Sequence, residues 1–127
     1  MSQSVQGIQL KVTTTTGGAG TSTGDNTTSG GGIQGALMSV YLAFHASAPN
    51  TTDVTITEVG GAGRTFLTLT DVNTSGEYPI RVAEKGVTGT ALGTYTPFLL
   101  PGVQLKVALA QCNVLTDAVV ATFYILQ

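Results

Sequence analysis

Apolar and polar positions alternate along much of this chain, most clearly near its C-terminus. The apolar positions between residues 103 and 110 are Val103, Leu105, Val107 and Leu109, and the residues between them are polar or small. Successive side chains of a strand point to opposite faces of a sheet. The alternation therefore predicts a strand with one buried face.

A second apolar run, residues 117–126, follows closely and carries apolar side chains on both of its faces. The connection between the two runs, residues 111–116, is too short for a crossover helix. We therefore predict that the two strands form an antiparallel pair at the centre of the fold.

Similar alternation predicts further strands in the earlier part of the chain, at residues 5–16, 33–48, 53–59, 65–70 and 77–82. A helix is the alternative for residues 33–48, but Gly35 and the β-branched and aromatic residues there favour a strand. Pro79 cannot donate a ladder hydrogen bond. Its strand should lie at a sheet edge or turn that position outward.

Turn-forming residues separate these segments, at residues 60–63, 71–76 and 84–93. Seven or eight short strands, with turn signals every ten or so residues, are typical of an all-β protein. The sequence predicts a single-domain antiparallel β-sandwich, of jelly-roll or Ig-like type, with a flexible N-terminal segment.

The N-terminal segment differs in composition from the remainder. Eight Thr and seven Gly stand among residues 13–32. Such a stretch buries too little apolar area to offset its ordering entropy, so we expect it to be mobile. We divide the chain into an N-terminal arm, residues 1–32, and a β-sandwich domain, residues 33–127. Either an arm that orders on a partner or a long hairpin loop fits this composition.

Charge is sparse and evenly spread. The 127 residues suit one domain, 9% of them are charged, and the formal net charge is −2. No basic stripe is present to neutralise phosphates, so we expect no nucleic-acid partner. A weakly charged surface gives little repulsion between copies, which favours a subunit of an assembly.

Cysteine content and the N-terminal sequence are typical of a protein that is made inside the cell. Cys112 is the single cysteine, so no disulfide within the chain is possible. Residues 1–5 show no basic and apolar leader pattern, which predicts no Sec export. The most apolar stretch, residues 36–48, is too short to span a bilayer, so we expect no membrane partner.

Residues able to perform catalysis are few. His45 is the only histidine, and no G-x-S-x-G motif accompanies it. One His and one Cys cannot provide the usual ligands of zinc within one chain. We predict that the protein is not an enzyme, that it has no catalytic residues and that His45 has a structural or interface role.

One stretch has part of a calcium-loop pattern. Asp71, Asn73 and Ser75 stand at alternate positions before Gly76, but Val82 occupies the place of the final bidentate ligand. We interpret the stretch as a hairpin turn, and we expect neither a metal site nor a cofactor. With no Trp and four Tyr, the chain offers few aromatic rings for stacking on sugars.

Three stretches carry a resemblance to a known class of protein: GEYPIRV at residues 76–82, TYTPFLLPGVQLKVALAQ at residues 94–111, and DAVVATFYI at residues 117–125. Together they resemble the small decoration, or cement, proteins of tailed-bacteriophage heads, over roughly residues 33–127. The resemblance implies a small β protein, a dimer or trimer. It implies binding to the major capsid protein on the outside of the expanded capsid, where neighbouring capsomers would be clamped. No single functional residue can be transferred.

Two segments are candidates for binding that partner. An extended segment such as residues 5–16 can add to an exposed sheet edge, with alternate side chains in pockets. The Pro-bounded stretch 95–102 is either a plug for one end of the sandwich or an exposed patch. The candidate partner-binding residues are Val5, Ile8, Leu10, Val12, Phe98 and Leu99. The alternative function is a carbohydrate- or ligand-binding β-sandwich module of a phage tail or surface appendage.

Overall fold

The computed structural model describes residues 3–127, which form ten strands and no helix. The strands are β1 (Val5–Val12), β2 (Ser22–Thr27), β3 (Ile33–Phe44), β4 (Asp53–Val59), β5 (Thr65–Leu69), β6 (Gly76–Pro79), β7 (Val82–Lys85), β8 (Ala91–Thr96), β9 (Phe98–Cys112) and β10 (Val119–Leu126). The all-β prediction is confirmed, and the strand count is close to the seven or eight expected. Within this part of the chain, no helix is available to cross a membrane.

Eight of the strands form two antiparallel layers. One layer has the order β1-β10-β3-β6, and the other has the order β2-β9-β4-β5. The pairs β1·β10, β2·β9, β3·β6 and β4·β5 are nested, as in one long hairpin wound into two layers. This order is that of a jelly roll, so the β-sandwich prediction is confirmed.

The core lies between the layers and consists of alternate side chains from both. The apolar set of β9 faces inward as predicted, with Leu105 and Val107 fully buried. Phe123 of β10 and Leu37 and Leu42 of β3 face them from the other layer. Pro79 lies on β6, whose one strand partner is β3, so its predicted edge position is confirmed.

The predicted pairing of the last two long strands is wrong. β10 pairs with β1 and β3, whereas the corresponding part of β9 pairs with β2 and β4. Residues 113–118 carry the chain from one layer to the other, and Asp117 adopts a positive φ of 50° there. The two strands therefore face each other across the core and share no ladder.

The N-terminal residues are part of both layers. β1 pairs with β10 over eight residues, and β2 pairs with β9. Strands from both sides of residue 32 thus pair with one another in the sandwich. The sequence does not predict β2, because its residues, STGDNT, show no alternation of apolar and polar positions. Its ladder uses backbone groups, and buried hydroxyls nearby, such as that of Thr14, bond to main-chain oxygens.

β9 passes from one layer to the other along its length. Its first residues pair with β3, and its later residues pair with β4. The bend falls at Gly102, which has a φ of +90° beside a register shift opposite Ile33 and Gln34. Gly32 lies so close that an added Cβ would collide with the carbonyl group of Gly102. Glycine at position 32 is therefore required for the crossing.

We expect Gly32→Ala to lower the free energy of unfolding by about 2 kcal/mol or more, because the added methyl group forces β3 and β9 apart. Gly31→Ala is the matched control, since a Cβ at Gly31 meets no heavy atom within 4 Å. It should change the stability by less than about 0.5 kcal/mol. Urea denaturation measures both, and equal effects would contradict the close approach.

Candidate functional site

The most distinctive surface feature is a hairpin that leaves the edge of one layer. β6 and the first residues of β9 lie end to end along the same side of β3: Ser39 pairs with Pro79, and Leu37 pairs with Phe98. Two positions of β3 that are only two residues apart are thus paired with residues far apart in sequence. Residues 81–97 must leave the sheet and return to it.

This excursion is a β-hairpin. Val82 pairs with Thr96, Ala83 with Tyr95 and Lys85 with Ala91, and the backbone nitrogen of Gly86 donates to the carbonyl oxygen of Thr90 at 2.9 Å. β7 and β8 make most of their contacts with each other. All four residues of β7 are exposed, as is β8 except at Thr96. The hairpin therefore projects from the sandwich with both faces open to solvent.

Exposed apolar side chains are concentrated on this hairpin and its return strand. Of the ten large apolar residues exposed in residues 3–127, five lie between positions 82 and 99. We call these five the apolar hairpin surface: Val82, Val87, Leu92, Tyr95 and Leu99. Leu92, Tyr95 and Leu99 are 57%, 67% and 72% exposed. Such clustering is typical of surfaces that contact another macromolecule.

Two arginines hold the base of the hairpin. Arg81, on the outgoing side, donates from Nη1 to the carbonyl oxygens of Met38 and Ile80, the latter at 2.8 Å. Arg64, from the turn before β5, donates from Nη2 to the carbonyl oxygen of Leu99 at 2.8 Å on the returning side. The hairpin therefore starts from a fixed base.

The second of these arginines belongs to a larger cluster, which we call the Arg64 clasp: Glu58, Arg64, Phe66, Phe98 and the carbonyl group of Leu99. Arg64 Nη2 lies 2.6 Å from Glu58 Oε2, and the Glu58 side chain is only 1% exposed. The guanidinium carbon lies 5.5 Å and 5.4 Å from the ring centroids of Phe66 and Phe98, which meet edge to face at 4.8 Å. Cation–π attraction adds to the ion pair.

The charge of Glu58 is stabilised within this cluster. Its side-chain hydrogen bonds to Arg64 lower the pKa of the carboxyl group below the ordinary value, against the opposing effect of burial. The backbone nitrogen of Arg64 also donates to Glu58 Oε1, at 3.3 Å. The carboxylate is therefore ionised at neutral pH, and it keeps Arg64 aimed at the hairpin base.

The candidate residues predicted from sequence fall into two separate regions. Val5 is exposed and Ile8 is half-buried, but Leu10 and Val12 are buried in the core and are not available to a partner while β1 is in place. The physical reason is that the side chains of Leu10 and Val12 pack into the hydrophobic core of this chain's own sandwich. Leu99 is exposed, whereas Phe98 is half-buried in the Arg64 clasp.

These regions lie at opposite edges of one layer, since β1 and β6 are the outer strands of β1-β10-β3-β6. The stretch 95–102 is neither wholly plug nor wholly patch: Tyr95 and Leu99 are exposed, whereas Leu100 is buried. The hairpin itself was missed, because Gly and Thr made residues 84–93 resemble a loop. Val87 and Leu92, apolar residues in a polar stretch, were the available signal.

The stretch with part of a calcium-loop pattern uses its polar groups within the fold. The backbone nitrogen of Asp71 donates to Asp53 Oδ1, Asn73 Nδ2 donates to the carbonyl oxygen of Ala48, and Ser75 Oγ accepts from the backbone nitrogen of Phe44. These bonds tie the turn to neighbouring segments. Within residues 3–127, no three His, Cys, Asp or Glu side chains are grouped to hold a metal ion.

His45 also makes a local contact. Its Nδ1 accepts a hydrogen bond from the backbone nitrogen of Ser47 at 3.0 Å, in the turn after β3. This contact gives the side chain a structural role in that turn.

Comparison with known proteins identifies no relative by sequence: no protein family matches the chain, and no curated protein matches it. A solved mutant of the family 29 carbohydrate-binding module CBM29-2 has a similar structure, with 8% identity and a TM-score of 0.34. The alignment covers 96% of this chain and 79% of that one. At this TM-score the similarity carries no argument about ligands.

We expect Glu58→Gln to lower the free energy of unfolding by about 1–3 kcal/mol at pH 7, because the guanidinium group loses its charged partner. The pKa of Glu58 is lowered by folding, so its contribution is full above the ordinary pKa of about 4.3 and is lost as the pH falls through the folded-state value. The difference in free energy of unfolding between Glu58→Gln and the unsubstituted protein should therefore become smaller as the pH falls.

Chemical denaturation between neutral and acidic pH measures this difference. Glu84→Gln is the matched control, because Glu84 is an exposed carboxylate on β7. It should change the stability by less than about 0.5 kcal/mol. A difference for Glu58→Gln that stays constant in acid would contradict the role assigned to the ion pair.

Proposed function

We propose that this chain is a virion structural protein that binds the major capsid protein on the outer surface of an expanded phage capsid and clamps neighbouring capsomers. The observation that carries the proposal is the apolar hairpin surface, which projects from a rigid sandwich and has no cover within residues 3–127. The stretches that resemble decoration proteins, residues 76–82 and 94–111, meet at the base of this hairpin and include Val82 of β7 and residues 94–96 of β8.

The hairpin suits docking onto a protein surface. Burial of a large apolar side chain contributes roughly 1.5–3 kcal/mol, so three or four such side chains give moderate affinity per copy. The fixed base reduces the entropy lost on binding. A symmetric shell repeats the contact, and bridged copies gain further affinity through avidity.

The proposal is tested with the double substitution Leu92→Ser and Tyr95→Ser in the full chain. We expect its affinity for undecorated expanded heads to fall at least about tenfold, because two exposed anchors lose their apolar contacts. Cosedimentation with heads measures the bound fraction. Val114→Ser is the control, because Val114 is also exposed but lies in the connection between β9 and β10.

Salt provides an independent readout in the same assay. Charged residues are few, so binding should change little between low and physiological ionic strength. Undiminished binding by the double variant would exclude the hairpin as the docking element. No binding by the unsubstituted protein would exclude the decoration role itself.

One feature favours the alternative function, a carbohydrate-binding module. Tyr41 and Tyr124 are exposed on neighbouring strands, β3 and β10, on the outer face of one layer. Thr122 pairs with both Tyr41 and Gln9, and Glu77 pairs with Tyr41 on the other side. Two phenol rings among hydroxyl, amide and carboxylate groups form a surface on which a sugar ring can stack and hydrogen-bond.

Glycan-array binding separates the two functions. In the carbohydrate-binding alternative, the unsubstituted protein binds a defined glycan, and Tyr41→Ala with Tyr124→Ala abolishes this binding. The hairpin double substitution leaves it unchanged, because the hairpin lies outside that face. Absence of glycan binding by the unsubstituted protein would reject this alternative.

A further inference from the structure

We infer that β1 pairs with β1 of a second copy across a two-fold axis at Gly7, so that the two copies share one continuous sheet. This interface lies at the opposite edge of the layer from the hairpin. It specifies the homo-oligomer as a dimer, and it does not depend on the identity of the hairpin's partner.

The free backbone groups of β1 follow from its pairing with β10. Ser4 and Gln127 exchange two hydrogen bonds, with nitrogen-to-oxygen distances of 3.3 Å and 2.9 Å. Backbone groups in an antiparallel ladder point to the partner strand at every second residue. The even-numbered residues of β1 therefore bond to β10, and the groups of Val5, Gly7 and Gln9 point away from the sheet.

Contacts of β2 limit how far this free edge extends. Asn26 Nδ2 donates to the carbonyl oxygen of Lys11 at 2.9 Å, which confirms that odd-numbered residues point outward. This bond also occupies the carbonyl oxygen of Lys11, which is the next outward-pointing acceptor after Gln9. The free edge thus ends at Gln9, where β2 begins to cover β1.

One two-fold register uses all of the free groups and none that are already bonded. It pairs Gly7 with Gly7 of the second copy, and Val5 with Gln9 in both directions. Each of these pairs exchanges two hydrogen bonds. A two-residue shift in either direction loses pairs, and in one direction it requires the carbonyl oxygen of Lys11, which Asn26 occupies.

β1 also lacks the features that keep other edges from pairing. β6 has only four residues and contains Pro79, and the ladders of β2 and β5 have register shifts. The ladder between β1 and β10 runs without a shift, and residues 3–10 carry no charge and no proline. An uncharged, regular edge strand is a template for pairing.

The surface beside this edge accommodates the second copy. A groove of about 220 Å³ lies between β1 and β2, lined in part by Ile8, Leu10 and Ile33. In the two-fold register Ile8 lies opposite Gln6 of the other copy, and both side chains face the groove side. The half-buried side chain of Ile8 would then become covered. Because the free edge of β1 is complementary to itself, the occupant is a second copy of this chain.

Solution mass and a backbone substitution test the interface in the full chain. Light scattering should give twice 12.9 kDa. Gly7→Pro removes the outward N–H without removing a bond to β10, and proline is tolerated at such edge positions. We expect the dimer dissociation constant to rise at least about tenfold, since each copy loses a donor at the axis.

Gly7→Ala is the matched control, because its Cβ would lie 3.8 Å from Thr122 Cγ2 and Tyr124 Cε1, an ordinary contact distance. It keeps the N–H and should remain dimeric. A monomer or trimer for the unsubstituted chain, or a dimer of undiminished affinity for a folded Gly7→Pro, would overturn the inference.

A cross-link decides the register even if Gly7→Pro fails to fold. Facing Cα atoms of a hydrogen-bonded pair lie about 5.5 Å apart, within the range of a disulfide. Gly7→Cys should therefore form a disulfide-linked dimer under mild oxidation, seen on a non-reducing gel, while the native Cys112 is buried. Gln9→Cys faces Val5 and should not cross-link. Equal cross-linking of the two variants would overturn the register.

Discussion

The backbone pairing along β3 is the constraint on which the rest of the structure depends. On one side this strand bonds to β10, and on the other it bonds first to β9 and then to β6. Because β6 and β9 share that side end to end, the chain between them has no place in the sheet. The projecting hairpin is the direct result. The same arrangement brings β9 into contact with both layers, and its bend at Gly102 joins them.

The Arg64 clasp connects this arrangement to the opposite layer. Glu58 lies at the end of β4, and Leu99 lies at the start of β9, so Arg64 joins the second layer to the returning leg of the hairpin. The clasp includes the one ion pair formed among residues 3–127, and its carboxylate is almost wholly buried. Desolvation offsets much of the attraction within a buried ion pair, whereas loss of one partner leaves an uncompensated charge.

The exposed surfaces are arranged along a single layer. The hairpin leaves from the β6 edge, the free backbone groups lie on the β1 edge, and the two exposed tyrosines, Tyr41 and Tyr124, lie on the outer face between them. The contacts proposed at the two edges would leave that face accessible. The two edges differ in charge: residues 3–10 at the β1 edge carry none, whereas Arg81, Glu84 and Lys85 lie in the hairpin segment.

The sequence alone determined the fold class, the buried face of β9 and the edge position of Pro79, because side-chain periodicity and the missing N–H of proline are local properties. It did not determine that β9 and β10 lie in different layers, since both carry the alternation that any half-buried strand would carry. It also missed β2, which has no apolar pattern, and the hairpin, whose position follows from two distant segments meeting on β3. Periodicity reports which side chains are buried, whereas every residue except proline carries the same backbone donor and acceptor. Which strands pair is therefore decided only when the whole chain is folded.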